Sequence, residues 1–467
     1  MHRNVNRPRR PRTLVTSVAL CVILPAGAGA QSAADDTGRA AAPGAARSSA
    51  SWQPYLLGTQ INLITQHLRP LRSPYAGANS LKPNGDTKTS HAYGVYAGVQ
   101  AASWLQGYLD VEMIRGEGIN RATGLAGITN GDVVRQGSVD LGNGPYVARA
   151  FVRITHELDG AERDTLVRAA DQVPSVVSSR RLEVIAGKLA VTDVFDLNRY
   201  ANTTRWQYMN WGLFQNSAWD YAADTRGYSN GVAVSWIHPG WNLRAGSFQM
   251  PTFANGNHFD PDLRRARGDE AELTVNVPVA GTVVRTLGYL NHARMGNYSE
   301  AIAIARGAGT TPDIVADDRP GRTKYGYGLN IEQPLADSGE TGLFARLSWS
   351  DGANESFVFT EVDQAASIGV QISGAHWGRA ADRLGIAGLA HGLATPHQQY
   401  LAAGGLGFLL GDGALTYGPE EIVEAFYRGQ INEYLQIGPD VQYVRNPGYN
   451  RDRGPATVLG LRINLRY

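Results

Sequence analysis

The chain has 467 residues, with 43 basic and 42 acidic side chains, a net charge of +1 and only 18% charged residues. That balance offers no basic field of the kind that draws in nucleic acid. The single cysteine, Cys21, excludes an intrachain disulfide and a multi-thiolate metal centre.

The first 30 residues have the form of a secretory leader. Arg3, Arg7, Arg9, Arg10 and Arg12 precede an apolar core from Leu14 to Leu24; Pro25 breaks it, and Ala28-Gly29-Ala30 suits a signal peptidase. Cleavage is expected after Ala30. Pro11-Arg12 after Arg9-Arg10 departs from a twin-arginine signal, and Leu20 before Cys21 departs from a lipidation signal. Residues 31–50 are small and polar, with little to bury, and read as a flexible N-terminal segment. Beyond the leader, no run reaches the roughly twenty apolar residues of a spanning helix.

From residue 51 to 467 a period of two recurs, the signature of strands with one apolar and one polar face. Tyr55, Leu57, Thr59, Ile61 and Leu63 alternate against Gly58, Gln60 and Asn62. Tyr93, Val95, Ala97, Val99 and Ala101 form the next apolar row. Leu105, Leu109, Val111 and Met113 oppose Gln106, Tyr108, Asp110 and Glu112. Tyr146, Ala148, Ala150, Val152 and Ile154 oppose Arg149, Phe151 and Arg153. Segment 158–180 loses the alternation and is expected to be a loop holding a short helix before Pro174. Trp241, Leu243 and Ala245 oppose Asn242, Arg244 and Gly246, with Phe248 on the parity of Arg244. Leu273, Val275 and Val277 oppose Glu272, Thr274 and Asn276, and Pro278 is expected at a strand end or bulge. Tyr325, Tyr327, Leu329 and Ile331 oppose Asn330 and Glu332; Leu343, Ala345, Leu347 and Trp349 oppose Phe344, Arg346 and Ser348. Val423, Ala425 and Tyr427 oppose Glu424, Phe426 and Arg428. The last stretch sets Thr457, Leu459, Leu461, Ile463, Leu465 and the terminal Tyr467 against Val458, Gly460, Arg462, Asn464 and Arg466.

So many two-faced strands need closure, because an open sheet of this length exposes its edges. The expected fold is all-β: a transmembrane antiparallel β-barrel of about 16 strands over 51–467, apolar rows toward lipid and polar rows toward a wet lumen. The mean hydropathy of −0.26 fits, since half of each strand faces water.

Several segments resemble the carbohydrate-selective outer-membrane porins of the OprB type. They are Asn198-Arg199-Tyr200-Ala201, Phe214 to Trp219, Asp224-Thr225-Arg226-Gly227-Tyr228, Tyr400 to Gly413, Tyr417-Gly418-Pro419-Glu420 and Asn446 to Gly454. The resemblance implies a 16-stranded barrel with long loops folded toward the pore, in the bacterial outer membrane, and passive diffusion of small sugars without a cofactor or covalent change. The surroundings it implies are outer-membrane lipid and lipopolysaccharide, with the barrel-assembly machinery reading the C-terminal strand that ends in Tyr467. Both a monomer and a trimer remain open.

The expected pore lining comes from the polar parity: Asp110, Glu112, Arg149, Phe151, Arg153, Arg244, Glu272, Phe344, Arg346, Glu424 and Arg428. Sugar C–H faces pack on aromatic rings, hydroxyls accept from guanidinium, and carboxylates accept from hydroxyls. The competing reading has these charges merely hydrating a lumen and pairing with one another. Trp206, Trp211 and Trp219 in the loop 195–228 form either a sugar platform in the pore or an interfacial girdle. A general or organic-acid diffusion porin is the nearest alternative, followed by an outer-membrane barrel enzyme and a secreted glycan-binding β-protein. H-E-x-x-H is missing from the sequence. His391 and His397 flank Pro396 as in a turn, His258, Asp260 and Asp262 read as surface, and Gly411-Asp412-Gly413 reads as a hairpin turn. Asp196 and Asn198 begin like a calcium loop without its remaining ligands.

Overall fold

The computed structural model describes residues 55–133, 141–142, 144–278, 281–359 and 361–467. The expected leader, the expected flexible segment and residues 51–54 lie outside the described residues.

Among the described residues eighteen strands form. They are β1 (Tyr55–Leu68), β2 (Asp86–Ala102), β3 (Leu105–Gly116), β4 (Tyr146–Glu157), β5 (Arg163–Leu166), β6 (Ser175–Ser178), β7 (Arg181–Leu189), β8 (Ser229–His238) and β9 (Trp241–Gln249). There follow β10 (Arg267–Val277), β11 (Thr282–Met295), β12 (Arg319–Ala336), β13 (Thr341–Ser350), β14 (Gln364–Ser373), β15 (Arg383–Gly392), β16 (Glu420–Gln430), β17 (Leu435–Arg445) and β18 (Ala456–Arg466). Sixteen of them close an antiparallel barrel, each beside its neighbour in the chain, while β5 and β6 pair only with each other. Closure comes where the first strand, paired on one side with β2 (Tyr55 opposite Val99), pairs on the other with the last strand, β18 (Gln60 opposite Arg466). Every barrel strand is thereby paired on both sides, and the barrel has no open edge.

The alternation decides which way each side chain points. Ile368 is 62% exposed and Leu461 46%, whereas Arg462 beside Leu461 is 3% exposed. In a soluble protein this distribution would be inverted. Here the apolar rows form the outer surface, and Gln60, Asn62, Glu112, Glu424 and Asn464 are buried inside. No helix among the described residues is long and apolar enough to cross a membrane.

Connections are short at one end. Two residues suffice at Pro239-Gly240, where Gly240 takes a φ of 92° that other residues avoid. At the other end they are long and carry α1 (Trp211–Phe214), α2 (Tyr298–Ala308) and α3 (Thr395–Ala402). Pro278 sits just past the last residue of β10, where a missing N–H costs the ladder nothing.

Three local expectations need correction. The first concerns a bulge: Asp110 opposes Arg149, but Val111 opposes Val147, so Ala148 is unpaired in β4. Parity flips there. Tyr146 and Ala148, placed on the outer row by counting, face inward, and Val147 faces out. Second, segment 158–180 holds the β5–β6 hairpin rather than a helix. Third, the turns expected around His391 and at Gly411-Asp412-Gly413 are not tight turns. His391 is in β15, Pro396 opens α3, and Gly411 lies in the long connection from α3 to β16.

Candidate functional site

The lumen is not an open tube. Residues 190–228, between β7 and β8, run across it, because their Asn-, Asp- and Tyr-rich sequence has no alternation to pair as strand and its backbone finds partners on the wall. Buried backbone donors need acceptors, and strand carboxylates supply them. The N–H of Asp196 donates to Glu272 (2.7 Å), that of Arg199 to Glu332 (3.0 Å), and those of Met209 and Asn210 to Glu424. Arg346, 2% exposed, contacts Asp196 at 3.2 Å and donates to the carbonyls of Leu213 (3.0 Å) and Ala201 (2.8 Å). Arg462 donates to the carbonyl of Gln207 (2.7 Å). A second loop segment, 117–133, interlocks with the first and with the wall: the Trp211 N–H donates to the carbonyl of Ile128 (2.9 Å), and the Gly127 N–H donates to Glu420 of β16 (2.8 Å).

These contacts sort the side chains singled out by parity. Glu272, Arg346 and Glu424 hold the loop. Phe344 packs its ring 5.4 Å from that of Tyr208 in the same loop. Arg244 donates to Glu272 (3.0 Å), and Arg428 is half-buried on β16. Of the loop tryptophans, Trp219 is 1% exposed among Phe195 and Tyr221, Trp211 lies 4.2 Å from the Phe359 ring, and half-buried Trp206 lies under the Arg466 guanidinium (4.4 Å).

A second set of polar groups gathers at the wall of β3 and β4, where Arg149, Arg153, Arg205, Arg226 and Tyr146 are half-buried and Asp110, Glu112, Tyr108, Phe151 and Tyr228 are buried. Arg149 donates to Asp193 through Nε (2.7 Å) and Nη2 (2.8 Å), and its Nη1 lies 3.3 Å from Asp110. Its guanidinium carbon sits 5.2 Å from the centre of the Tyr228 ring. Arg205 reaches across from the loop to Glu112 (2.9 Å) and Asp132 (3.2 Å). Arg226 covers the Tyr146 ring at 4.5 Å. The hydroxyls of Tyr146 and Tyr228 both donate to Glu112. Arg153 lies 5.2 Å from the Tyr108 ring, which stacks on Phe151 at 4.8 Å. Guanidinium donors, aromatic faces and carboxylate acceptors thus share one wall, half-buried at its arginines and at Tyr146 and buried behind them. Arg149, Phe151, Arg153, Asp110 and Glu112 belong to the expected lining. Arg205, Arg226 and Tyr228 come from a loop without periodicity, and Tyr146 is hidden by the bulge.

At the long-loop end, the connection 351–363 caps the assembly. Asp220 accepts from the N–H groups of Phe357 and Val358, both at 2.7 Å, and Glu355 accepts from Gly296 at 3.2 Å. Burial, with Glu361 and Asp220 nearby, pushes the Glu355 carboxyl up to about 8. A carboxyl raised in the folded state stabilises it fully below the unfolded value and loses that contribution as pH rises through the folded value. Hydrogen-exchange protection of 351–363 should therefore fall between about pH 5 and 8 and level off above that. Glu355→Gln should flatten that trend; equal pH dependence in both proteins would refute the assignment.

The chain matches the family model described as carbohydrate-selective porin, OprB family, over residues 111–467. Its fold is similar to that of Pseudomonas putida OprB in a high-pH structure: 14% identity, 89% of this chain and 94% of that one, TM-score 0.64. Weaker likenesses extend to the outer-membrane channel DcaP of Acinetobacter baumannii (9% identity, 88% of this chain and 97% of that one, TM-score 0.47) and to Salmonella typhi OmpF in complex with daunomycin (11%, 88%, 97%, 0.47). No curated protein matches the chain. The family model covers well over half of the sequence, and the barrel with its in-folded loops is that of an outer-membrane porin: the chain belongs to the carbohydrate-selective porins of the OprB family.

Proposed function

We propose that this porin passes small neutral sugars down their gradient along the β3–β4 wall, with Arg149, Arg153, Arg205, Arg226 and Tyr146 as the groups a sugar meets and the buried Tyr228 backing Arg149. The observation that carries the reading is the setting of Arg149 and Arg226 over the rings of Tyr228 and Tyr146, with Asp193 and Glu112 in hydrogen-bond reach. A pyranose slides its C–H face along such rings while its hydroxyls exchange partners between guanidinium donors and carboxylate acceptors. Opposite charges lie close together, so the wall presents no strong single-sign field, which would favour ions over neutral solutes. Each contact is weak enough to be left again, which flux requires.

In this reading the protein is a channel and changes no covalent bond. Residues 1–30 export it, outer-membrane lipid and lipopolysaccharide surround it, and the assembly machinery reads the strand ending in Tyr467. Liposome swelling with monosaccharides, disaccharides, amino acids and organic acids tests the proposal. Sugars should enter fastest, and the double variant Arg149→Ala, Arg153→Ala should change sugar flux by about tenfold, the worth of one charged hydrogen bond. Unchanged sugar flux and unchanged single-channel conductance in that variant would reject the assigned wall, and preference for organic acids would reject the substrate class.

A further inference from the structure

We infer that the connection between β4 and β7, residues 158–180, is a second constriction at the exit of the lumen, and that Asp171 and Val173 at its tip set the size ceiling for solutes leaving the channel. The inference rests on the reading of the Arg149 wall as the permeation path.

The segment stands out by its length and place. It lies at the end where the other connections take two residues (Ser103-Trp104, Pro239-Gly240), four (278–281, 337–340, 431–434) or nine (374–382), and it takes 23. That short-turn end is the periplasmic one in outer-membrane barrels. A hairpin loop needs only two to five residues, so the surplus calls for a task. The base of the segment is stapled to the rim: β5 pairs with β6, Arg181 contacts Asp164 at 2.7 Å, and Arg163 contacts Glu157 at 2.7 Å. The chain then turns back into the mouth of the barrel rather than out into solvent. Val173 is fully buried and belongs to one apolar cluster with Leu56 and Tyr108, inward side chains of β1 and β3. Its N–H donates to the Tyr108 hydroxyl at 3.1 Å. At Gly98 of β2, a Cβ would stand 3.2 Å from a Val173 methyl and 2.8 Å from the Tyr108 ring, so the wall lacks a side chain where the tip seats. One residue pair then ties the tip to the path itself: the Asp171 carboxylate lies 3.4 Å from Nε of Arg149. A clip that served only to brace the rim would not need to send a carboxylate to the arginine of the permeation wall. The tip carboxylate and the loop carboxylate Asp193 converge on that one nitrogen, at 3.4 and 2.7 Å, so the tip narrows the exit side of the wall where a solute passes Arg149.

Two proteins test the inference in planar bilayers and in liposomes. In the first, residues 163–178 are replaced by an Asn-Gly turn; in the second, Cys21→Ser and Asp171→Cys leave one thiol, at the tip. The trimmed barrel should conduct about twofold more or better and admit longer oligosaccharides than the parent, as expected when a pore is widened at its narrow point. A bulky neutral thiol reagent added on the short-turn side should cut the current of the second protein by about half. A trimmed barrel that folds with the parent's conductance and size ceiling would overturn the inference, as would a modified Asp171→Cys protein with undiminished current. If the trimmed chain does not fold, the thiol result decides alone. Ion conductance that rises while no sugar enters either barrel leaves the exit constriction standing and removes the sugar reading instead.

Discussion

Arg346→Ala is expected to free the loop 190–228 from the wall of the barrel, raise single-channel conductance several-fold and abolish discrimination among solutes. Arg346 is the hub of that loop. It reaches Asp196 at 3.2 Å and three backbone carbonyls, those of Asp196, Leu213 and Ala201, at 2.8–3.1 Å. Alanine removes all of these together and takes a donor from the buried carbonyls of Leu213 and Ala201, while that of Asp196 keeps Asn330 Nδ2 at 3.1 Å. It also strands the Asp196 carboxylate, whose remaining partners, Asn216 and Asn330, are neutral. Removing one member of a buried ion pair costs about 3–5 kcal/mol, comparable with what holds an in-folded segment against opening. The barrel ladder itself does not pass through this residue's side chain, so the strands should persist while the loop leaves. The distinguishing measurement is conductance together with circular dichroism: wide pores with intact β-signal are expected. Parent-like conductance would show that the remaining clamps on Glu272, Glu332 and Glu424 suffice.

The same residue shows where reading the sequence succeeds and where it stops. Parity put Arg346 on the inner face, and the inner face is where it lies; the same holds for Glu112, Glu272, Glu424 and Arg462. A strand's period is fixed by covalent geometry, so the fold class and the two faces follow from counting. Counting fails at β4, where the unpaired Ala148 turns Tyr146 inward, because a bulge changes parity without leaving a mark in composition. It is silent about what inward groups touch. Glu424 looks like a hydrated acceptor from its strand alone, yet it is filled by the N–H groups of Met209 and Asn210, more than 200 positions away in the chain. The loop that supplies those donors has no period to read. Its route is set by tertiary hydrogen bonds, and so are the positions of Arg205, Arg226 and Tyr228 at the wall.

The largest test of the architecture is a charge on the outer surface. Leu461 sits at the middle of β18, opposite Thr65 on one side and Pro439 on the other, and points outward. If that outside is hydrocarbon, Leu461→Arg places a guanidinium near the bilayer midplane, at a cost of about 2–4 kcal/mol. Its neighbour Arg462 bears the same group one residue on and incurs no such cost, because it points inward and donates to the carbonyls of Thr204 and Gln207. Unfolding by urea in lipid vesicles should therefore separate two substitutions only one position apart. Leu461→Arg should lower stability by the lipid term while leaving the in-folded loop in place. Arg462→Leu should leave the lipid surface untouched, yet loosen residues 204–207 and widen the pore. Swapping the two outcomes would mean that the faces of β18 are reversed, and a neutral Leu461→Arg in a protein that stays in solution without detergent would mean that no bilayer surrounds the barrel.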